Sequence, residues 1–272
     1  MKKAFAVFFV ALAFAACFAA CATNPMTGRR TMALVPNSQL FPIAFAQHQE
    51  FLDASIIVTG TPEAQMIQRV GNRLVAATER WLESQGQMDI LRGFEWEFTL
   101  VQDNAINAWV MPGGKIVFYT GILPVTKNEA GIAVVMGHEI AHAVLHHGQQ
   151  RMSAALLQQL GLTSLAVVTS GQKPLVQGII LTSFGVGSEL FGTLPFSRQH
   201  EREADHLGLI LMAIAGYDPN EAPLFWERME ALPGGTIPEF LSTHPSSAAR
   251  VREIRRLVPE AIQVAADFGV RF

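Results

Sequence analysis

The residues from 138 to 142 read His-Glu-Ile-Ala-His, and their types and spacing suit metal-assisted hydrolysis. Inside a helix, residues four apart lie one turn above each other, so the imidazoles of His138 and His142 can bind one metal ion. Glu139 is rotated by about 100° from His138, where it can take a proton from a metal-bound water and later give it to the departing amine. The motif therefore predicts a zinc-dependent hydrolase in which Glu139 is the catalytic base and acid.

A catalytic zinc takes a third ligand from the protein and keeps its fourth position for water. The metzincin continuation HExxHxxGxxH needs glycine at 145 and histidine at 148. The sequence has Leu145 and Gly148, so that continuation is excluded. His146 would stretch the ligand triangle along a straight helix, so a place on the helix surface is favoured for it. His147 points elsewhere, which leaves a carboxylate from a later helix as the third ligand.

A later segment, beginning at residue 197, reads Ser-Arg-Gln-His-Glu-Arg-Glu-Ala-Asp and supplies such a carboxylate. Glu201 and Asp205 share a helix face because they are four residues apart. In that arrangement Glu201 binds the metal, and Asp205 accepts a hydrogen bond from a ligating imidazole and fixes its orientation. Glu203 faces another way. Two histidines of the segment are expected to be neighbours of the site rather than ligands, namely His200 and His206.

HEIAH followed by SRQHEREAD resembles the zinc endopeptidases of the HtpX heat-shock protease and CAAX prenyl endopeptidase group, whose pattern is HExxH and then SRxxExxAD. Three further segments resemble the soluble, BepA-like lipoprotein branch of that group: CATNPMTGRR, NAWVMPGGKIVFYTGIL and THPSSAAR. The resemblance implies one zinc ion per chain, bound by His138, His142 and Glu201. It also implies that Glu139 is catalytic and that Asp205 supports a ligand.

The resemblance assigns roles to residues outside these two motifs as well. His244 corresponds to a histidine near the metal, so it can stabilise the oxyanion of the tetrahedral intermediate or cap the zinc in a latent state. Arg250 is expected to orient the segment that carries His244. Asn107 and Ala108 correspond to an edge strand that holds an extended peptide through main-chain hydrogen bonds, which would explain broad substrate choice.

Periodicity and end signals predict the elements that position these residues. Thr61 and Pro62 begin an amphipathic helix that runs to residue 84, and Thr126 with Glu129 opens the metal helix, which runs to about 148 or beyond. The other elements are strands over 94–100, 108–111 and 115–119, and helices over 197–215, 219–232 and 246–257. With the resemblance, they predict an α+β fold, a mainly helical zincin-like metalloprotease domain with a small antiparallel sheet packed on the HExxH helix.

The N-terminal run predicts a location. A positive Met-Lys-Lys start and the apolar residues after it are typical of an export signal, with a transmembrane anchor as the alternative. Phe-Ala-Ala-Cys occurs twice and resembles the bacterial lipobox, with Cys21 as the preferred lipidated residue and Cys17 as the alternative. We therefore expect a lipoprotein signal peptide over 1–20 and a single zinc metallopeptidase domain over 21–272. The protein would be periplasmic and lipid-anchored to the outer membrane.

Composition excludes several classes of function. Of the 272 residues, 16% are charged, and the net charge of −3 includes no Lys/Arg block, so nucleic acid is not an expected partner. Both cysteines lie within the first 21 residues, which excludes cysteine catalysis in the rest of the chain.

The expected function is therefore hydrolysis of misfolded or stalled envelope proteins, with unfolded polypeptides as substrates and the outer-membrane assembly machinery as a candidate partner. The alternative is a zinc-stabilised periplasmic chaperone or binding lipoprotein for unfolded outer-membrane proteins. The apolar stretch 160–196 motivates this alternative, because it can be a lid, a membrane-resting surface or ordinary core.

Overall fold

Helices dominate the part of the chain that the structure describes. The computed structural model describes residues 21–24, 27–162, 197–232 and 238–272. The helices in these ranges are α1 (Asn37–Asp53), α2 (Pro62–Ser84), α3 (Leu123–Thr126), α4 (Glu129–Val144), α5 (His147–Leu162), α6 (Arg198–Ile214), α7 (Glu221–Glu230), α8 (Glu239–Thr243) and α9 (Ala248–Asp267). The strands are β1 (Cys21–Thr23), β2 (Arg30–Met32), β3 (Glu97–Val101), β4 (Ala108–Met111) and β5 (Lys115–Tyr119), and 3-10 turns cover Met88–Leu91 and Thr120–Ile122. The predicted mainly helical α+β class is confirmed, while most of the stretch 160–196 lies outside the described residues.

The sheet beside the site has three strands in the order β3-β5-β4. β4 and β5 pair antiparallel across a turn in which Gly113 and Gly114 adopt positive φ values of 88° and 96°. β3 runs parallel to β5, so the sheet is mixed rather than antiparallel throughout. The chain reverses direction from β3 to β4 and again from β4 to β5. After two reversals β5 runs in the same direction as β3. It pairs with β3 because it lies between the other two strands.

Side-chain caps confirm two predicted helix starts. The hydroxyl oxygen of Thr61 accepts a hydrogen bond from the backbone N–H of Ala64, and Pro62 is the first residue of α2. At the start of α6, the hydroxyl oxygen of Ser197 accepts from the backbone N–H of His200. Each cap satisfies a donor that has no partner within the helix.

The metal helix α4 begins with a different cap from the one predicted. Asn128 is the capping residue, and its side-chain oxygen accepts from the backbone N–H of Gly131. Thr126 instead donates its hydroxyl to the carbonyl of Leu123 within α3. The capping-box spacing of Thr126 and Glu129 therefore predicts a helix in the right place with the wrong cap.

The predicted continuous helix to residue 148 is wrong. α4 ends at Val144, and α5 begins at His147. His146, between them, has a φ of 54°, which lies in the left-handed region and interrupts a right-handed helix. The break changes the direction of the chain, and this change places His147 beside the metal helix.

Two helices contain an internal proline, and sequence patterns therefore miss one of these helices and predict the other too short. α1 has Pro42 in its interior and is not predicted at all. α9 has Pro259 in its interior and continues to Asp267, whereas the prediction stops at residue 257. An internal proline removes a helical hydrogen bond, so it normally indicates a helix end. Packing overrides that signal in both helices.

α4 forms the centre of the core, and every residue from Gly131 to Val144 is buried. It crosses α6 at two glycines: a Cβ built on Gly137 would lie 2.9 Å from the carbonyl oxygen of Gly208. The two backbones therefore touch one residue before His138, which brings the donors of α4 close to those of α6. In the described ranges, none of the helices combines the length and the apolar content needed to cross a membrane.

Candidate metal centre

Four buried side chains from three parts of the chain meet in the core. α4 supplies His138 and His142, α6 supplies Glu201, and the residue after α8 supplies His244. One nitrogen or oxygen atom of each lies within 4.8 Å of the others. The structure thus brings together the three predicted metal ligands and adds His244 to the same donor set.

The donors lie close enough together to share one metal ion, with separations at or slightly below those around a tetrahedral ion. The Nε2 atom of His138 lies 3.0 Å from Nε2 of His142 and 3.1 Å from Nδ1 of His244. An Oε1 atom of Glu201 lies 3.4 Å from Nε2 of His142 and 3.0 Å from Nδ1 of His244. Ligands at about 2.0–2.2 Å from zinc are separated by about 3.3–3.6 Å along the edges of a tetrahedron. Nitrogen and carboxylate donors are also the types that zinc prefers.

Asp205 and Arg250 hold the donor set from the α6 side. The Oδ1 atom of Asp205 lies 3.1 Å from Nδ1 of His138, the pair of groups for which a hydrogen bond is predicted. Arg250 donates from Nε and Nη2 to the two oxygens of Asp205 at 2.7 and 2.8 Å, and its Nη1 lies 2.7 Å from Oε2 of Glu201. Burial by itself raises the pKa of Asp205, but Arg250 and His138 outweigh burial and keep that pKa below its usual value. The guanidinium also lies 3.8 Å over the ring of Trp226.

Glu139 lies beside the donor set rather than in it. The side chain is buried, and its Oε1 atom lies 3.4 Å from Nε2 of His244. Burial raises the pKa of Glu139 to about 8. Among the described residues, Oε1 of Glu139 makes no hydrogen bond. A carboxyl group in this position can accept and return a proton, as predicted for a catalytic base.

Sequence reasoning sets His147 and Glu203 aside as ligands, and neither belongs to the donor set, but it misses the contacts that connect them to His142. Nδ1 of His147 lies 2.8 Å from Nδ1 of His142, and Nε2 of His147 lies 3.0 Å from a carboxylate oxygen of Glu203. Burial raises the pKa of Glu203, but hydrogen bonds from His147 and Arg29 outweigh burial and lower that pKa to about 2. A continuous helix would direct the side chain of His147 away from His142. Because the helix breaks at His146, the side chain of His147 points toward His142.

The other histidines of these segments do not belong to the donor set of the described residues, and His146 lies in the break between α4 and α5 rather than on the helix surface predicted for it. The ring of His146 lies against Phe94, with centroids 6.1 Å apart. His200 stacks on His147 at 4.3 Å between ring centroids. His206 lies at the surface, where its Nε2 atom is 2.9 Å from a carboxylate oxygen of Glu260.

The predicted peptide-binding residues begin the outer strand of the sheet. Asn107 is buried, and its side-chain oxygen accepts from the backbone N–H of Ala108, the first residue of β4. The preceding carbonyl, that of Ile106, accepts from the backbone N–H of Phe240 in α8, four residues before His244. At the other end of β4, Met111 lines the same small cleft as His142. β4 therefore runs past the donor set with one edge unpaired within the described sheet.

A comparison with protein families identifies the class of enzyme. A model described as peptidase family M48 matches residues 63–258, which contain both metal motifs and His244. The chain belongs to peptidase family M48. M48 enzymes are metal-dependent peptidases, so the predicted class of enzyme, a metalloendopeptidase, is confirmed at the level of the family. The HtpX and CAAX group and the BepA-like lipoprotein branch are finer assignments, which the family match does not distinguish.

Individual relatives agree with the M48 assignment. The mitochondrial metalloendopeptidase OMA1 of Schizosaccharomyces pombe is 38% identical over 204 residues, covering 74% of this chain and 54% of that protein. The mitochondrial metalloendopeptidase OMA1 of Homo sapiens is 29% identical over 252 residues, covering 89% and 46%. The beta-barrel assembly-enhancing protease of Escherichia coli is 29% identical over 184 residues, covering 64% and 37%. The chain thus spans about half or less of the length of these relatives.

The predicted location is wrong by this comparison. OMA1 proteins from a fission yeast, a plant and a budding yeast, at 36–38% identity, all carry mitochondrial names. These names contradict a periplasmic protein tethered to the outer membrane. Cys21 is the first residue of β1, and its lipidation stays a prediction, as does the signal peptide over 1–20.

Proposed function

We propose that this M48 chain is a zinc-dependent endopeptidase in which His138, His142 and Glu201 bind one zinc ion and Glu139 is the catalytic base. The observation that carries the proposal is the buried set of donors within 4.8 Å of one another, with the carboxylate of Glu139 directly beside it. The family match supports the same reading, because it spans all of these residues.

The chain's own residues have separate tasks in this mechanism. When bound, zinc supplies Lewis-acid chemistry, which polarises a carbonyl and lowers the pKa of a water. Glu139 takes the proton of the attacking water and delivers it to the leaving amine. Asp205 orients His138, and Arg250 keeps the carboxylates of Asp205 and Glu201 in place. No covalent intermediate with the protein is required.

The proposed substrates are unfolded polypeptides in extended conformation. The outer edge of β4 passes the donor set, and an extended peptide can add to such an edge through main-chain hydrogen bonds. Main-chain hydrogen bonds at Asn107 and Ala108 would involve few side chains of the substrate, so this mode of binding suits substrates of varied sequence. The name of the Escherichia coli relative, a beta-barrel assembly-enhancing protease, is in line with a substrate that has failed to assemble. Residues 21–272 are proposed to act as one domain.

The test is zinc content and hydrolysis of unfolded casein by the wild-type chain and by Glu139→Gln. We expect one zinc ion per chain in both proteins and a loss of hydrolysis of roughly 10²–10⁴-fold in the variant. Glu79→Gln, an exposed change on α2, is the control and should match the wild type. A wild-type chain without zinc, or full activity in Glu139→Gln, would overturn the proposal.

A further inference from the structure

The second ring nitrogen of His142 faces another imidazole rather than a carboxylate. Nε2 of His142 points into the donor set, and its Nδ1 lies 2.8 Å from Nδ1 of His147. Both rings are buried. Two ring nitrogens at hydrogen-bond distance need one hydrogen between them, so one ring donates and the other accepts. Which one donates decides where the lone pair of His142 lies.

Glu203 and Arg29 settle the direction of this hydrogen bond. An ionised carboxylate only accepts, so Glu203 takes the hydrogen of Nε2 of His147 at 3.0 Å. The guanidinium of Arg29 can only donate. Its Nε and Nη2 atoms lie 3.0 and 3.2 Å from the two oxygens of Glu203. A neutral His147 with hydrogen on Nε2 has its lone pair on Nδ1. His142 must therefore donate from Nδ1, which leaves its Nε2 lone pair facing the donor set.

We propose that His147 and Glu203 are positioning residues that hold His142 in the tautomer able to bind the metal. The two ligands of α4 are then oriented in different ways. A carboxylate, that of Asp205, lies directly at Nδ1 of His138, whereas His142 reaches its carboxylate through the ring of His147. The inference rests on the proposed metal site and deepens it.

This indirect connection between His142 and Glu203 depends on the backbone at the end of α4. His147 can turn toward His142 only because the helix breaks at His146. The side-chain amide of Asn24 donates to the carbonyl of Leu145 at 3.4 Å, and Arg29 bonds both Glu203 and Gln150. Asn24 and Arg29 thus connect the N-terminal part of the chain to the break and to the carboxylate. The position of His142 therefore depends on residues more than a hundred positions earlier in the chain.

The test measures zinc affinity by competition with a chelating indicator in Glu203→Gln and His147→Leu. In Glu203→Gln one of the two carboxylate oxygens that accept from Arg29 and His147 is replaced by an amide NH₂, which cannot accept, so the acceptor that fixes the tautomer of His147 is weakened. We expect zinc binding to weaken by roughly 10–100-fold in each variant. Glu260→Gln is the matched control, because it breaks a histidine–glutamate contact of 2.9 Å at the surface and should leave affinity unchanged.

The melting temperatures of the metal-free proteins and histidine ¹⁵N NMR spectra distinguish a positioning role from a purely structural one. We expect Glu203→Gln to keep the melting temperature of the metal-free wild type while it loses the signal of a His142 ring protonated at Nδ1. If His147→Leu does not fold, Glu203→Gln carries the test. Wild-type zinc affinity in Glu203→Gln would overturn this inference alone, whereas a wild-type chain that binds no zinc would overturn the proposed function with it.

Discussion

The guanidinium of Arg250 lies between two buried carboxylates: it donates hydrogen bonds to Asp205 and forms an ion pair with Glu201. Removing it leaves the two buried carboxylates without their cationic partner. We expect Arg250→Met to lower the free energy of unfolding of the metal-free protein by about 3–5 kcal/mol, measured by urea denaturation. Arg255→Met on the same helix removes an exposed ion pair with Glu227 and should cost about 0–1 kcal/mol. Equal losses in the two variants would contradict this prediction.

His244 completes a set of four protein donors, and this arrangement has a consequence for activity. A catalytic zinc keeps one position for water, whereas four protein ligands close the site. We therefore expect His244→Ala to hydrolyse unfolded casein several-fold faster than the wild type while it retains zinc. Thr243→Ala, next to it in α8, should not change the rate. A loss of hydrolysis with zinc retained would instead support His244 as the stabiliser of the oxyanion.

At the scale of elements, the crossing of α4 and α6 is set by Gly137 and Gly208. A Cβ at position 137 would lie 2.9 Å from a backbone carbonyl oxygen, so the helices must separate to admit it. Alanine has a better helix propensity than glycine by about 1 kcal/mol, yet we expect Gly137→Ala to destabilise the fold by about 1–3 kcal/mol. Zinc affinity should also fall, because His138 is the next residue. A more stable variant with unchanged affinity would show that the contact does not position the site.

Local signals predict those elements of the site that local chemistry decides. Thr61 and Pro62 mark the start of α2, and the turn at Gly113 and Gly114 marks the hairpin of β4 and β5. The two ligand motifs predict the donors on α4 and α6, because helical spacing alone determines which side chains share a face. Elements that depend on tertiary packing are not predicted from local sequence. One example is α1, which contains Pro42 and whose helical state depends on neighbours distant in sequence.

The break at His146 shows the same limit within the site. Histidine tolerates a positive φ better than most side chains, but no local pattern requires one there. A continuous helix therefore predicts the wrong direction for His147 and misses its contact with His142. Likewise, the pairing of Arg29 with Glu203 joins residues that no periodicity relates.

At the scale of the whole molecule, sequence motifs specify chemistry better than location. The class of enzyme, a metalloendopeptidase, is predicted correctly, because metal-assisted hydrolysis requires the same kinds of donors in every compartment. The predicted location rests on the sequence up to Cys21, which carries neither of the two metal motifs. The mitochondrial names of the OMA1 relatives contradict the location and leave the chemistry unchanged.

The donor set joins three segments that are distant along the chain, since α4, α6 and the residues after α8 each contribute to it. A ligand that binds only the folded state stabilises it, by about 2.7 kcal/mol at a free concentration of 100 times its Kd. For a domain of this size, we expect the melting temperature to rise by roughly 5–10 °C between chelator and zinc.

Variants of the site separate this effect from general stabilisation by salt or metal. Glu139→Gln should keep the full zinc-dependent shift, because Glu139 lies beside the donors and does not belong to them. Glu201→Gln should lose most of it, because the amide is a weaker ligand than the carboxylate that spans His142 and His244. A shift of equal size in Glu201→Gln would mean that zinc stabilises the protein from another place, and the three segments would then be held together by packing alone.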